Sequence, residues 1–367
     1  MIIGIDASRA ALAHHTGTET YAYQLLRGLA SQSSADMRLR LYTHQPPQPV
    51  IWPHSPYIET RVIPFPRLWT HLRLAAEISQ HPPDVLFVPS HVLPLHCPVP
   101  AVVTVHDLAY RHHPEAYTRF QRRYLDWSTR RHTYVAQHLI ADSQATKEDL
   151  VNHYRTDGQR ISVVHLGRDE SLHRVSDVAA VKAKYGIAGA YILYMGTLQP
   201  RKNLLRLIEA FQPLSQQHPV KLVLAGSKGW LYDDIFALVQ TLNLTERVHL
   251  PGFVPPTDKA ALISGAEVYA YPSLYEGFGL PILEAMACGV PVLTSNVSSM
   301  PEIAADAALL VDPYDVASIR QGLRRLLTDQ PLRQTLIQKG FQRLNHFSWA
   351  NAAHQVQSIL QAVARGK

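Results

Sequence analysis

The sequence predicts an α/β protein made of two doubly wound parallel sheets with a cleft between them, and three observations carry that prediction. Short β-branched runs alternate with segments of helical apolar period from end to end, the rhythm of strand–helix–strand units. At 367 residues the chain is too long for one comfortable core. The rhythm breaks in HLGRDESLHRV, near residues 166 to 175, where Gly167 and a polar stretch intervene.

In the first half the expected strands are MIIGID, LRLYTH, DVLFVPS, AVVTVHD, HLIADS and ISVVHLG, with helices such as TETYAYQLLRGLA between them. In the second half they are YILYMG, VKLVLAG, RVHLPGF, EVYAYPS and VPVLTS, again separated by helical segments such as LLRLIEAFQPLSQ. The expected domains are two Rossmann-like units, 1–170 and 171–347. A closing amphipathic helix follows over 348–367, with Trp349, Ala353, Val356 and Leu360 at helical spacing.

Composition narrows the class. With 46% hydrophobic and 17% charged residues the chain sits in the soluble globular range. No apolar run approaches the roughly 18 to 20 residues that span a bilayer, and MIIGIDASRA lacks a charged start and long apolar stretch, so a cytoplasmic protein is expected. Cys97 and Cys288 form no CxxC, which excludes a disulfide framework or thiolate zinc site and leaves two core thiols. The formal charge is +6 with 20 histidines. Arginines concentrate in an expected helix over 117–137, where Arg119, Arg122, Arg123, Arg130 and Arg131 face only Asp126. Interleaved with Phe120, Tyr124 and Trp127, they read either as a solvated face over a packed apolar stripe or as a peripheral contact with anionic lipid. No nucleic-acid module accompanies the charge, so nucleic acid is not an expected partner.

In parallel sheets ligands gather beyond the carboxyl ends of the strands, and the chemistry-bearing motifs fall there. In YILYMGTLQPRKNLLRLIEAF a strand ends at Gly196, and Arg201 and Lys202 stand where the next helix begins near Asn203. An anion such as a diphosphate would be drawn by both side chains and the helix end together; otherwise the two cations simply meet water. In PSLYEGFGLPILEAMACGVPVLTS a glycine-bearing loop enters a helix whose expected first position is Pro281. Glu276 lies in the loop and Glu284 one turn into the helix. The N–H groups of Phe278, Gly279 and Leu280 suit sugar hydroxyls or phosphate oxygens. His106 ends the strand of AVVTVHD; Asp107 either orients its imidazole or caps the following helix. Gly17 precedes a helix with Thr18 or Thr20 as cap, either a plain turn or a loop whose backbone approaches a diphosphate. Gly226 and the stretch Gly252, Phe253, Val254 end two further strands and border an expected nucleotide base. Lys228 in SKG stands without a GxxxxGK loop and carries no phosphate-loop reading.

EGFGLPILE resembles the E-x7-E motif of the retaining GT-B glycosyltransferases, above all the large group 1, family 4-like set typified by bacterial mannosyl- and glucosyltransferases. PRKN, the run GVPVLTSNVSSMPEIAADAALLVDPYD, and GIDASRA with Gly17-Thr18-Glu19 share the likeness, which extends over nearly the whole chain. The resemblance implies an N-terminal acceptor-binding domain, a C-terminal donor-binding domain and a closing helix that packs back on the first. It implies that Glu284 binds the donor ribose. Glu276 and the amides of Phe278, Gly279 and Leu280 would hold the transferred sugar, and Arg201 with Lys202 the diphosphate. His106 would sit beside the donor, facing the acceptor. Several relatives carry an Arg after the glycine matching Gly196; Thr197 stands there here, which passes that charge to Arg201.

The expected reaction moves a hexose, mannose as the first choice, from a nucleotide diphosphate sugar to a saccharide or lipid-linked saccharide in polysaccharide biosynthesis. No DxD occurs, so fixed cations and helix ends replace a metal ion and no cofactor is expected. A nucleotide-sugar epimerase of the same architecture and a non-catalytic two-lobed binding protein are the competing readings. The absence of GxGxxG after the first strand disfavours a dinucleotide dehydrogenase.

Overall fold

The computed structural model describes residues 1–12, 17–46, 52, 54–65, 68–90, 92–227, 229 and 232–366. Lys228 and residues 13–16, before Gly17, lie outside the described residues. The chain divides into two compact units. The first comprises Met1–Arg111, Tyr117–Gly167 and Phe347–Lys367; the second comprises His112–Ala116 and Arg168–His346.

Among the described residues the first unit holds a seven-stranded sheet: β1 (Ile2–Asp6), β2 (Arg38–Thr43), β3 (Ile58–Val62), β4 (Val85–Val88), β5 (Ala101–Val105), β6 (His138–Ala141) and β7 (Ile161–Val163). The order is β3-β2-β1-β4-β5-β6-β7 and every pairing is parallel. Central strands such as VLFV and AVVTV are buried throughout, which explains their unbroken apolar runs: helices cover both faces of a parallel sheet. The chain after Phe347 returns to this unit as the helix Trp349–Ala364, started by the Ser348 hydroxyl and buried at Ala352, Ala353, Val356 and Leu360. Two glycines let it dock. A Cβ on Gly28 would lie 2.6 Å from that of Ala353, and one on Gly167 would lie 2.3 Å from the backbone nitrogen of Trp349.

The second unit holds, among the described residues, six parallel strands: β8 (Ala190–Met195), β9 (Val220–Ala225), β10 (Val248–Gly252), β11 (Val268–Tyr271), β12 (Val292–Ser295) and β13 (Leu309–Val311). Their order is β10-β9-β8-β11-β12-β13. The chain winds one way from β8 and the other way from β11, so the gap beyond these two neighbours is the switch point where open α/β sheets take ligands.

The Arg-rich helix runs Arg119–Val135 rather than 117–137, because Thr118 and Gln121 close a capping box at its start. Its buried face is Ser128, Thr129, His132 and Thr133, not the expected apolar stripe. No described helix is long and apolar enough to cross a membrane.

Candidate functional site

The residues singled out by sequence fall into two clusters, one in each unit. In the second unit the first segment follows β8. A short 3₁₀ turn, Pro200–Lys202, ends at Asn203, which adopts a left-handed conformation (φ 62°) immediately before the helix Leu204–Gln217. The buried Asn203 amide donates to the carbonyls of Pro272 (3.0 Å) and Pro313 (2.7 Å), tying this turn to the loop after β11. That loop carries Glu276 and ends at Gly279, whose φ of 108° suits glycine, before the helix Leu280–Ala287. The helix therefore opens on Leu280, with Pro281 second rather than first.

The two segments meet on one carboxylate. Arg201 Nη1 donates to Glu276 Oε2 (2.7 Å) and to the carbonyl of Tyr275 (2.7 Å). Lys202 Nζ donates to Glu276 Oε1 (2.5 Å) and to the hydroxyl of Tyr271 (2.8 Å), which in turn donates to Glu276 Oε1 (2.8 Å). Glu276 is buried; burial alone would raise its pKa, yet Arg201 and Lys202 outweigh it and hold the carboxyl down at about 2. Ser298 Oγ accepts from the Glu276 amide (3.2 Å) and donates to its carbonyl (2.6 Å), and Ser299 Oγ lies 2.7 Å from the Phe278 carbonyl. The quartet of Arg201, Lys202, Glu276 and Tyr271 gathers at the carboxyl ends of β8 and β11, Tyr271 being the last residue of β11. Such an arrangement brings two cations and one carboxylate together, chemistry that suits a ligand itself both anionic and hydroxylated.

Around it, Glu284 pairs with Lys259 on the helix Pro256–Ser264. Thr197 and Phe253 are exposed, and Val254 is half-buried. Gly226 has a packing reason to be glycine, since a Cβ there would lie 1.9 Å from the carbonyl oxygen of Gly196.

In the first unit His106 directly follows β5. Its Nδ1 lies 2.7 Å from Asp142 Oδ2 and its Nε2 lies 3.0 Å from the carbonyl oxygen of Pro89. Tyr21 meets the imidazole edge-on at 4.8 Å. Burial opposes charge on His106, but Asp142 beside it raises the imidazole pKa above its ordinary 6.5. Asp107 does not orient the ring. Its Oδ1 accepts from the Ala109 amide (2.9 Å), so it caps the next turn, and the orienting carboxylate is Asp142. Gly17 lies within the helix Gly17–Ser31 rather than before it. Thr18 donates to the buried Glu19 carboxylate, which also pairs with Arg9 at 3.4 Å.

Sequence reasoning missed Tyr271, Lys259 and Asp142. For Tyr271 and Asp142 the only local signal lay at strand ends, in EVYAYPS and HLIADS, the edge where ligands gather; Lys259 sits on a helix and carried none.

Two parallel-sheet units of this winding, with cation–carboxylate chemistry at a switch point, have the layout expected of GT-B architecture. Family models match along the chain, "Glycosyl transferases group 1" over residues 177–343 and "Glycosyltransferase Family 4" over residues 15–172. O-antigen chain mannosyltransferase B of Escherichia coli is 35% identical over 260 residues, covering 70% of this chain and 68% of that protein. Among solved structures, sucrose-phosphate synthase from Thermosynechococcus elongatus superposes with a TM-score of 0.78 at 23% identity over 100% of both chains. Anabaena HepE in complex with UDP and glucose superposes at 0.75 with 19% identity, over 98% of this chain and 99% of that one. The chain belongs to the group 1 glycosyltransferases.

Proposed function

We propose that the protein transfers a hexose, mannose first, from a nucleotide diphosphate donor to a saccharide or lipid-linked saccharide acceptor, with retention and without a metal ion. The observation that carries this reading is the quartet of Arg201, Lys202, Tyr271 and Glu276 at the switch point, at the carboxyl ends of β8 and β11. The acceptor hydroxyl oxygen bonds to the anomeric carbon as the bond from that carbon to the diphosphate breaks; the diphosphate leaves with the electron pair and takes up the hydroxyl proton, and Arg201 and Lys202 are fixed donors for its charge. Glu276, ionised at neutral pH, accepts from hydroxyls of the sugar. The Phe278, Gly279 and Leu280 amides bind the sugar and phosphate edge; Glu284 takes the ribose, exchanging its contact with Lys259. Gly226, Phe253 and Val254 border the base. On the first unit, Gly17, His106 and Asp107 serve the donor phosphate and the acceptor, as the family likeness implies.

Mannose is supported by the Escherichia coli mannosyltransferase, which also favours polysaccharide synthesis; HepE, bound to UDP and glucose, keeps the uridine base in play. We place the protein in the cytoplasm, at the inner face of the membrane. The exposed Phe120, Tyr124 and Trp127, beside Arg119, Arg122 and Arg123, fit anionic lipid there.

Thermal-shift screening against UDP, GDP and ADP with and without EDTA tests the donor site, because a ligand that binds only the folded state raises Tm by mass action. One diphosphate is expected to stabilise the protein in EDTA, and Glu284→Ala is expected to abolish the shift. No shift with any diphosphate at saturating concentration would remove the donor site. NMR of the anomeric proton of the product, with a mannosyl donor, reads the sugar and the stereochemistry together.

A further inference from the structure

We propose that Asp142 is a positioning residue for His106, holding its imidazole with a proton on both ring nitrogens, so that the group behind β5 is a fixed cationic donor and not a base. The role of that cation rests on the transferase reading; the geometry belongs to the first unit alone.

A carbonyl oxygen only accepts. The 3.0 Å contact to Pro89 therefore places a proton on Nε2. The other nitrogen lies 2.7 Å from Asp142 Oδ2, a distance that serves an N–H donor to the carboxylate and equally an acceptor of a carboxyl proton. Burial raises the Asp142 pKa while His106 beside it opposes the rise. In the proposed ion pair the proton is on Nδ1. With both nitrogens engaged, neither is left to take a proton from an acceptor hydroxyl. A ligand oxygen that replaces the Pro89 carbonyl would receive a hydrogen bond from Nε2–H.

Asp142 has no other evident task. It is buried, and its second oxygen, Oδ1, has no hydrogen-bond partner among the described residues. The capping role that an aspartate at this place ordinarily fills belongs to Ser143, whose hydroxyl accepts from the Thr146 amide at 3.2 Å. A buried carboxylate with one oxygen unpaired is costly, and its one fixed partner is the imidazole. The surroundings lock the ring further. Tyr21 is anchored by its hydroxyl to Thr104 Oγ1 (3.0 Å), and Thr146 Oγ1 donates to the His106 carbonyl (3.3 Å). The other titratable groups acting on the pair are Asp107 on the same loop and His165 beyond β7; burial and Asp142 keep the Tyr21 phenol un-ionised.

Histidine-labelled protein, with His106→Gln to assign the signal, gives the ring ¹⁵N shifts directly. At about pH 7.5, a full unit above the ordinary histidine value, wild type is expected to show both nitrogens protonated. Asp142→Asn is expected to show a neutral ring protonated on Nε2 alone, and Asp142→Glu to restore the wild-type shifts. With donor and acceptor, Asp142→Asn should lose about 10- to 100-fold in kcat while the donor KM holds within about threefold. A wild-type ring with one bare nitrogen at that pH, or unchanged ring shifts in Asp142→Asn, overturns the proposal. Should Asp142→Asn not fold, the wild-type shifts and Asp142→Glu decide it. Doubly protonated His106 in a protein that transfers no sugar would uphold Asp142's role and overturn the transferase reading instead.

Discussion

At Glu276 the residue types read from sequence meet in one place, but not as independent ligand contacts: the carboxylate lies between the two cations expected to hold a diphosphate. Its pKa is lowered from 4.5 to about 2. A depressed carboxyl contributes stability that is fully present above pH 4.5 and is lost as pH falls toward 2. That contribution is on the order of 3 kcal/mol at neutral pH. Glu276→Gln should therefore lower the urea midpoint at neutral pH, and the gap to wild type should close as pH falls through that window. Parallel pH-dependence in the two proteins would show that the pairing does not stabilise the fold. The type and edge position of Arg201, Lys202, Glu276 and His106 were legible because His106 follows a strand, Arg201 and Lys202 precede a helix, and Glu276 lies in the glycine-bearing loop that joins a strand to a helix. Their partners were not. Tyr271 lies 69 residues from Lys202, and Asp142 lies 36 from His106. No local pattern marks such a pair, so the sequence left Asp107, the neighbour, as a candidate for a job that Asp142 performs.

At the scale of elements, buried strands announced themselves and marginal ones did not. Runs such as VLFV are apolar because both faces are covered. β3 is an edge strand, IETRV, with Glu59, Thr60 and Val62 exposed, and β13 is three residues long; neither carries a periodic signal. The helix Arg119–Val135 departs from expectation the other way. Its aromatic residues face solvent, with Phe120 79% and Trp127 43% exposed, and His71, on the turn Thr70–Leu74, meets the Trp127 ring at 6.4 Å. Leu68 and Leu72, around that turn, are exposed as well. Arg131 is spent on the carbonyls of Leu93, Pro94 and Leu95, while Arg119, Arg122 and Arg123 form no ion pair among the described residues. Each basic residue near an anionic bilayer is worth about 1 kcal/mol. Replacing the three free arginines by Glu should thus cut co-sedimentation with phosphatidylglycerol vesicles at least tenfold, by the order of 1.4 kcal/mol per decade. Phe120→Ser with Trp127→Ser should weaken it further, and neutral vesicles should bind little. Equal wild-type binding to neutral and anionic vesicles would leave the helix as a solvated face.

On the scale of the whole molecule, chain order and spatial order diverge at the end: Phe347–Lys367 belongs to the first unit although it follows the second. The glycines that receive it explain why. Gly28 and Gly167 leave no room for a side chain against Ala353 and Trp349, so these surfaces are shaped for that helix. Burial of Val356 and Leu360, each at 0% exposure, contributes about 1.5–3 kcal/mol per side chain. Ala352, Ala353 and the buried Phe347 add to it. The sum is on the order of 5 kcal/mol or more, comparable to the whole stability of an ordinary domain. Removing residues 347–367 should therefore unfold the first unit while leaving the second, whose strands β8–β13 and quartet lie entirely within Arg168–His346 and use none of the deleted residues. Two readouts separate the units. Hydrogen exchange should show β4 and β5 unprotected in the truncated chain. The second unit should still be stabilised by the nucleoside diphosphate that stabilises the full protein. Protected β4 and β5 amides would mean that the closing helix is dispensable. Loss of protection in β8 and β11 as well would mean that the second unit cannot fold without the first.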